Sequence, residues 1–284
     1  MQSVSVIIPT MGRPELLLEA INSVQNQTTP PVEIIVVDAH PDLTAMPVID
    51  KLKQNQNSII YIEGGGGASV NRNNGAWHAG SDWVAFLDDD DMWEADYLEK
   101  AVSLALHENT DATITWMKTY NGQTFTEDKK IGKNLQVESF FVKNPGVTGS
   151  NIVMKKETFE ALSGFDKNLL VSEDKDLLLR LIDSGRSYSV VQEMLVIRRV
   201  HGVEHLSSAA SLRFLNGIKC FYNKYKNKMS FRTRRDFKGK IDWSAYQCTN
   251  SIAVRLWYIF RIMMRGNLRY LLSILSTLKN KKQI

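Results

Sequence analysis

The sequence predicts an α/β fold: a doubly wound, mainly parallel sheet with helices on both faces, followed by a helical C-terminal extension. Three observations carry this. Short apolar, β-branched runs alternate with amphipathic stretches at close intervals through the first third of the chain. Three of those runs end in polar residues, as expected where a parallel sheet opens onto a ligand cleft. From about residue 208 onward the pattern is helical, with no further strand signal.

Each element has its own reason. SVSVIIPT (3–10) is β-branched and ended by proline, a buried strand. In RPELLLEAINSVQNQ, Leu16, Leu17, Ala20, Ile21 and Val24 share one helical face, and Pro14 suits a helix start. VEIIVVD (32–38) is a second buried strand, PVIDKLKQN a helix and SIIYIEG a third strand. Four glycines (64–67) precede a helix from about 69 to 79; they permit close backbone approach to a ligand or simply a flexible loop. WVAFL (83–87) is the fourth strand, and residues 94–106 read as helix. Farther on come a strand at 151–154, a short helix broken at Gly164, and the helix of SEDKDLLLRLIDSG with Ser172 at its N-cap and Gly185 past its end. YSVVQEMLVIRRVHG reads as a hairpin or strand pair. Residues 1–207 are expected to form one domain, with halves 1–110 and 111–207, and residues 208–284 the helical extension.

Among the 284 residues, 43% are hydrophobic and 23% charged, an ordinary globular balance. The net charge of +4 is uneven: acids dominate 94–111 and the last quarter is basic. That asymmetry suggests an anionic partner for the C-terminal part, either a membrane surface or nucleic acid. Of the two, a membrane surface is the expectation and nucleic acid is not. In 252–278 a large apolar face is mixed with Arg255, Arg261, Arg265 and Arg269, with Gly266 as the break between two helices and a Lys279, Lys281, Lys282 tail. Such helices lie on an anionic membrane or cap the domain with solvated arginines. Cys220 and Cys248 lack metal-type spacing and are expected as reduced thiols. The N-terminus lacks a signal-peptide pattern, and no run approaches the ~20 apolar residues of a membrane span, so a soluble or peripheral protein is expected.

The chemistry begins at WVAFLDDDDMW, where four carboxylates follow a buried strand without a break. Adjacent like charges repel, and capping or helix-dipole effects are worth only about 1 kcal/mol each. A divalent cation, Mg²⁺ or Mn²⁺, is the natural compensator and brings phosphate oxygens with it. Asp38 ends the second strand, Pro9 and Thr10 the first, so these residues should gather along one edge. Glu173 and Asp174 open a helix, where acids are favoured by the dipole whatever else they do. Asp176 and Arg180, four apart, suit a helix-face pair. Trp77, Trp83 and Trp116 suit either core or sugar-stacking positions.

The chain resembles the family 2 inverting nucleotide-sugar glycosyltransferases, which have the Rossmann-like GT-A fold. The matching pieces come in family order: VSVIIPTMGRPELLLEAINSVQNQ, VEIIVVDAH, NRNNGAWHAGSDWVAFLDDDDMW, GSNIVMKKETFEALSGFD, SEDKDLLLRL and IRRVHG. The resemblance implies a DXD-type motif in which Asp90 binds the metal, Asp88 or Asp89 holds the donor ribose and Asp91 starts the next helix; four aspartates in a row permit two registers. It implies that Pro9, Thr10, Arg13 and Asp38 line the nucleotide, with Asp38 at the base, although Asp38-Ala39-His40-Pro41 departs from the Asp-Asp-Gly-Ser of many members. By the same resemblance Arg72 would face the donor phosphates, Asp174 or else Glu173 would be the catalytic base, and His201 would reach the metal or pyrophosphate, with His205 a weaker choice. Ser150 and Asn151 fall in the acceptor region without an assigned role. The implied activity moves a sugar from a UDP-linked donor to a hydroxyl of a glycan or lipid-linked glycan, in surface-polysaccharide synthesis at the cytoplasmic face of the inner membrane. Two other classes fit less of the sequence: a sugar nucleotidyltransferase, whose glycine- and lysine-rich N-terminal loop PTMGRPE does not reproduce, and a non-catalytic sugar-nucleotide or membrane-binding module.

Overall fold

The computed structural model describes residues 2–53, 58–133, 135–200 and 211–280. The chain divides into two compact units, one of residues 1–135, 145–167 and 173–202, the other of 136–144, 168–172 and 203–284.

The first unit opens with β1 (Val4–Thr10), α1 (Pro14–Gln25), β2 (Glu33–Asp38), α2 (Met46–Lys53), β3 (Ile59–Glu63), α3 (Ala68–His78) and β4 (Trp83–Phe86). It continues with β5 (Asp91–Trp93), α4 (Tyr97–Glu108), β6 (Ala112–Tyr120) and β7 (Phe125–Glu127). After α5 (Val137–Val142), which belongs to the second unit, come β8 (Ile152–Lys155), α6 (Lys156–Ala161), α7 (Glu173–Asp183) and β9 (Tyr188–Arg199). The sheet order is β3-β2-β1-β4-β8-β6-β9-β5, with β7 paired to β6. β3, β2, β1 and β4 are mutually parallel, as are β6 and β9, while β8 runs antiparallel between β4 and β6, and β5 antiparallel to β9.

Both faces of the sheet are covered, which is why its strands read as unbroken apolar runs. Val4, Val6, Ile8, Val36, Ala85 and Leu87 meet Leu17 and Ile21 of α1 and Tyr97 and Ala101 of α4. The alternate residues of the same strands face the other way. There, Phe86 packs on Phe159 and Phe165 with ring centroids 5.2 and 5.0 Å apart. Burying each such aromatic or branched aliphatic side chain is worth about 1.5–3 kcal/mol. α3 lies close on this face because Gly75 has no side chain: a Cβ there would sit 2.6 Å from Ile7 Cγ2.

The second unit holds α8 (Leu212–Tyr225), α9 (Phe231–Gln247), α10 (Ile252–Met264) and α11 (Leu268–Asn280). Ser211, Ser230 and Ser251 cap the first three by accepting from Phe214 N, Thr233 N and Val254 N. Phe221, Tyr225, Phe237 and Phe141 form an aromatic core, and Gly266, at φ +64, separates α10 from α11 as expected. No helix of the described residues is long and apolar enough to cross a membrane.

Three expectations are corrected. Residues 188–199 form one strand, not a hairpin, because β9 absorbs a register shift opposite Thr115 to Met117 and pairs along all of β6. Residues 91–93 pair with β9 as β5, so Asp91 starts no helix and α4 begins at Tyr97. Ser172 has φ +67 rather than the extended backbone of an ordinary N-cap.

Candidate active site

The four aspartates form a turn, closed by Asp91 N donating to Asp88 O at 3.0 Å. The turn sends their carboxylates in two directions. Asp89 points inward and is fully buried; it accepts from Thr10 Oγ1 at 2.7 Å and from Arg13 Nε at 3.2 Å. Arg13 also pairs with Asp90 Oδ2 at 2.5 Å. Burial pushes the Asp89 carboxyl up to about 6, with the Arg13 charge pulling the other way.

Asp88, Asp90 and Asp91 converge instead, each offering an oxygen within 4.8 Å of the others. Asp91 is held by Ser150 Oγ, which donates at 2.6 Å, and by Arg199 N at 3.3 Å. Ser150 Oγ also accepts from Asp88 N at 3.1 Å. Burial, then the charges of Asp88 and Asp90, raise the Asp91 carboxyl well above its ordinary range. Three hard oxygen donors with mutually repelling charge fit a divalent cation. Of the two possible DXD registers, the structure brings together Asp88 and Asp90, with Asp91 in addition.

Arg199 fixes this turn from behind. Its guanidinium donates to Asp90 O at 2.6 Å and Leu16 O at 3.1 Å, and pairs with Glu19 of α1.

Arg72, on α3, joins two clusters. Nη2 pairs with Asp88, and Nη1 pairs with Glu173 Oε1 at 3.1 Å. Its Nε is buried without a hydrogen-bond partner. One guanidinium therefore separates the aspartate turn from the first residues of α7. Gly149 presses on it: a Cβ there would lie 2.8 Å from both Nε and Nη2. Gly149→Ala should displace Arg72, lower stability by about 1–3 kcal/mol as overpacking does, and reduce turnover; thermal unfolding and a transfer assay check both effects.

Asp174 is half-buried and accepts from Lys175 N at 2.6 Å. Burial and then the neighbouring Glu173 charge push its carboxyl up to about 7. A carboxylate poised near neutral pH suits general-base work.

The remaining candidates expected from the sequence are spread more widely. Pro9 and Thr10 end β1 beside Asp38, but the Asp38 carboxylate is buried and occupied by His40 N at 3.0 Å, Ala45 N at 2.9 Å and Tyr61 OH at 3.2 Å. It shapes the loop after β2. His201 and His205 lie outside the described residues. Asp176 is buried, and Arg180 bridges it to Leu162 O and Gly164 O, an internal tie rather than a surface pair. Trp83 is core, while Trp77 is exposed and packs against Phe159. Sequence reasoning placed Ser150 in the acceptor region without a role and missed Gly149 and Arg199 as parts of the site. The quoted motifs contain all three, yet only the folded chain shows that Ser150 and Arg199 meet the aspartate turn and that Gly149 meets Arg72.

The profile described as Glycosyl transferase family 2 matches residues 5–163, more than half of the chain. Glu173 and Asp174 lie beyond that span. An uncharacterized glycosyltransferase of Methanocaldococcus jannaschii is 26% identical over 98% of this chain and 94% of its own. The GalNAc(5)-diNAcBac-PP-undecaprenol β-1,3-glucosyltransferase of Campylobacter jejuni is 29% identical over 60% of this chain; the chain spans about half of that enzyme, 53%. Staphylococcus aureus TarS 1–349, solved with UDP-GlcNAc, superposes with a TM-score of 0.65 at 18% identity, over 91% of this chain and 79% of that one. This likeness establishes the shared fold, an α/β sheet of the GT-A kind.

Proposed function

The chain belongs to glycosyl transferase family 2, and from that premise we propose that it moves a sugar from a UDP-linked donor to a hydroxyl of a glycan or lipid-linked glycan, inverting the anomeric centre. The carrying observation is Arg72, whose two ends hold Asp88 of the aspartate turn and Glu173 beside Asp174. Metal-type donors and a base candidate thus lie on either side of one guanidinium. The donor class is supported by the solved TarS complex with UDP-GlcNAc, and the acceptor class by the lipid-linked substrate in the Campylobacter enzyme's name.

Asp174 takes the proton of the acceptor hydroxyl as its oxygen bonds to the anomeric carbon. The bond from that carbon to the diphosphate oxygen breaks, and the nucleoside diphosphate leaves with the electron pair. Asp88, Asp90 and Asp91 would hold Mn²⁺ or Mg²⁺, which would supply neutralising charge for the leaving diphosphate. Arg72 stays protonated, and by pairing with Asp88 and Glu173 it orients both clusters and sets a fixed positive charge between them. Asp89 orients Arg13 at the edge of the same turn. Neither an enzyme-bound sugar nor a second displacement is required.

The test is nucleoside-diphosphate release from a donor panel, with and without acceptor, plus the anomeric configuration of the product by NMR. Release that depends on acceptor, with inversion, is expected; retention would contradict the single displacement. Because the base works deprotonated, kcat/KM should rise as pH climbs through about 7, and a rate that falls across that interval would remove Asp174 from the role.

A further inference from the structure

Three arginines of the second unit converge on a cavity that the chemistry at Asp88 does not use. It measures about 220 Å³, and its lining around the start of α11 includes Arg232, Arg235, Asp236, Asn267, Leu268 and Arg269. Arg232 and Arg235 are exposed and carry no side-chain ion pair among the described contacts. Arg269 lies over the Tyr270 ring at 4.5 Å and donates to Tyr270 OH at 2.7 Å. With Asp236 the only acid, the cavity is net cationic, and guanidinium groups favour phosphate oxygens.

Apolar surface borders this cavity along the chain. Met263 and Met264 precede it and Leu268 stands in its lining, all three exposed. The exposure continues on α10 through Leu256, Trp257 and Phe260, and on α11 through Leu272 and Leu275. At 100° per residue the α10 set occupies one helical face. After Asp242 the chain has no acidic residue, yet it has Arg255, Arg261, Arg265, Arg269, Lys279, Lys281 and Lys282.

The expected role of the α10 arginines changes accordingly. Arg261 Nη2 and Arg265 Nε pair with the buried Asp242 at 3.0 and 2.9 Å, and Arg255 Nε donates to Thr249 O at 2.8 Å. These contacts tie α10 to Asp242 and Thr249, while Arg261 and Arg265 stay part-exposed and keep their positive charge at the surface.

We infer that the Arg232, Arg235 and Arg269 cavity seats the phosphate of an anionic phospholipid, with the exposed faces of α10 and α11 in the bilayer interface around it. Charge decides for lipid: a wide apolar face flanked by cations, with no acid after Asp242, complements anionic headgroups. Aromatic residues such as Trp257 suit the interfacial zone. The inference rests on the second unit alone and stands apart from the transfer chemistry.

The test sediments the full chain with vesicles of phosphatidylcholine alone or with about one-third phosphatidylglycerol. Binding to the anionic vesicles is expected, weakening with salt. The triple Arg232→Gln, Arg235→Gln, Arg269→Gln variant should bind them about 100-fold more weakly, since each surface cation contributes roughly a factor of five. Trp257→Ala with Phe260→Ala should also weaken binding, and both variants should keep the wild-type Tm and soluble-acceptor transfer. Equal binding to neutral vesicles, or an unchanged triple variant, would overturn the inference. So would a Tm raised by millimolar inorganic phosphate without vesicle binding, which marks a soluble-phosphate site. A dimer by light scattering that Trp257→Ala dissolves, without vesicle binding, would instead assign the face to a second copy.

Discussion

Asp90→Ala is expected to lose metal-dependent donor binding and to lower turnover by at least about 100-fold, since removing even an outer partner of a metal ligand costs 10- to 100-fold. The reason lies in the turn itself. Asp88, Asp90 and Asp91 bring oxygens within 4.8 Å of one another, and Asp91 is already pushed up by its burial and its neighbours' charges. Removing Asp90 leaves too few donors to hold the ion and frees Arg13 from its 2.5 Å pair. The variant should still fold, because Asp89 keeps Thr10 and Arg13, and Arg199 still clamps the turn through backbone oxygens. Full activity of Asp90→Ala in EDTA would remove the metal from the mechanism.

Asp174→Asn carries the second large effect. Loss of a general base costs about 10²–10⁴-fold, so transfer should fall by that order while donor binding persists. Stability offers an independent check with a definite sign. The folded carboxyl is pushed up to about 7 from an ordinary value of 3.8, so the native state binds this proton more tightly than the unfolded chain. Its contribution is fully present below about 4 and is lost as pH rises to about 7. Asparagine does not titrate, and the variant's Tm should be flatter across that interval than the wild type's. Near-normal transfer in both Asp174→Asn and Glu173→Gln would move the base elsewhere.

Much of this was legible in the chain because local signals and global fold agree in its first half. β1, β2, β3 and β4 are short β-branched runs, and each appears where periodicity and proline or glycine punctuation put it. The misses share a cause. β6, ATITWMKTY, is rich in β-branched residues but lies where the sequence reading assigns no element, and its pairing with β8 and β9 is long-range. β5 is only three residues long and exists because β9 offers it a partner. The aspartate run announced a charge problem, but the choice of which carboxylates converge depends on one turn. Thr10 and Arg13, far away in sequence, claim Asp89, while Ser150 claims Asp91. Asp38, expected at the nucleotide base, accepts from His40 N, Ala45 N and Tyr61 OH, contacts that its place at a strand end does not announce.

Under the proposed function the aspartate turn holds the donor and the start of α7 removes the proton, with Arg72 paired to both. Calorimetric titration of the UDP-sugar donor, with Mn²⁺ or with EDTA, into wild type, Asp90→Ala and Asp174→Asn tests that division most directly. The expected result is metal-dependent binding that Asp174→Asn retains at wild-type affinity and Asp90→Ala loses. Equal loss in both variants, or equal retention in both, would contradict it.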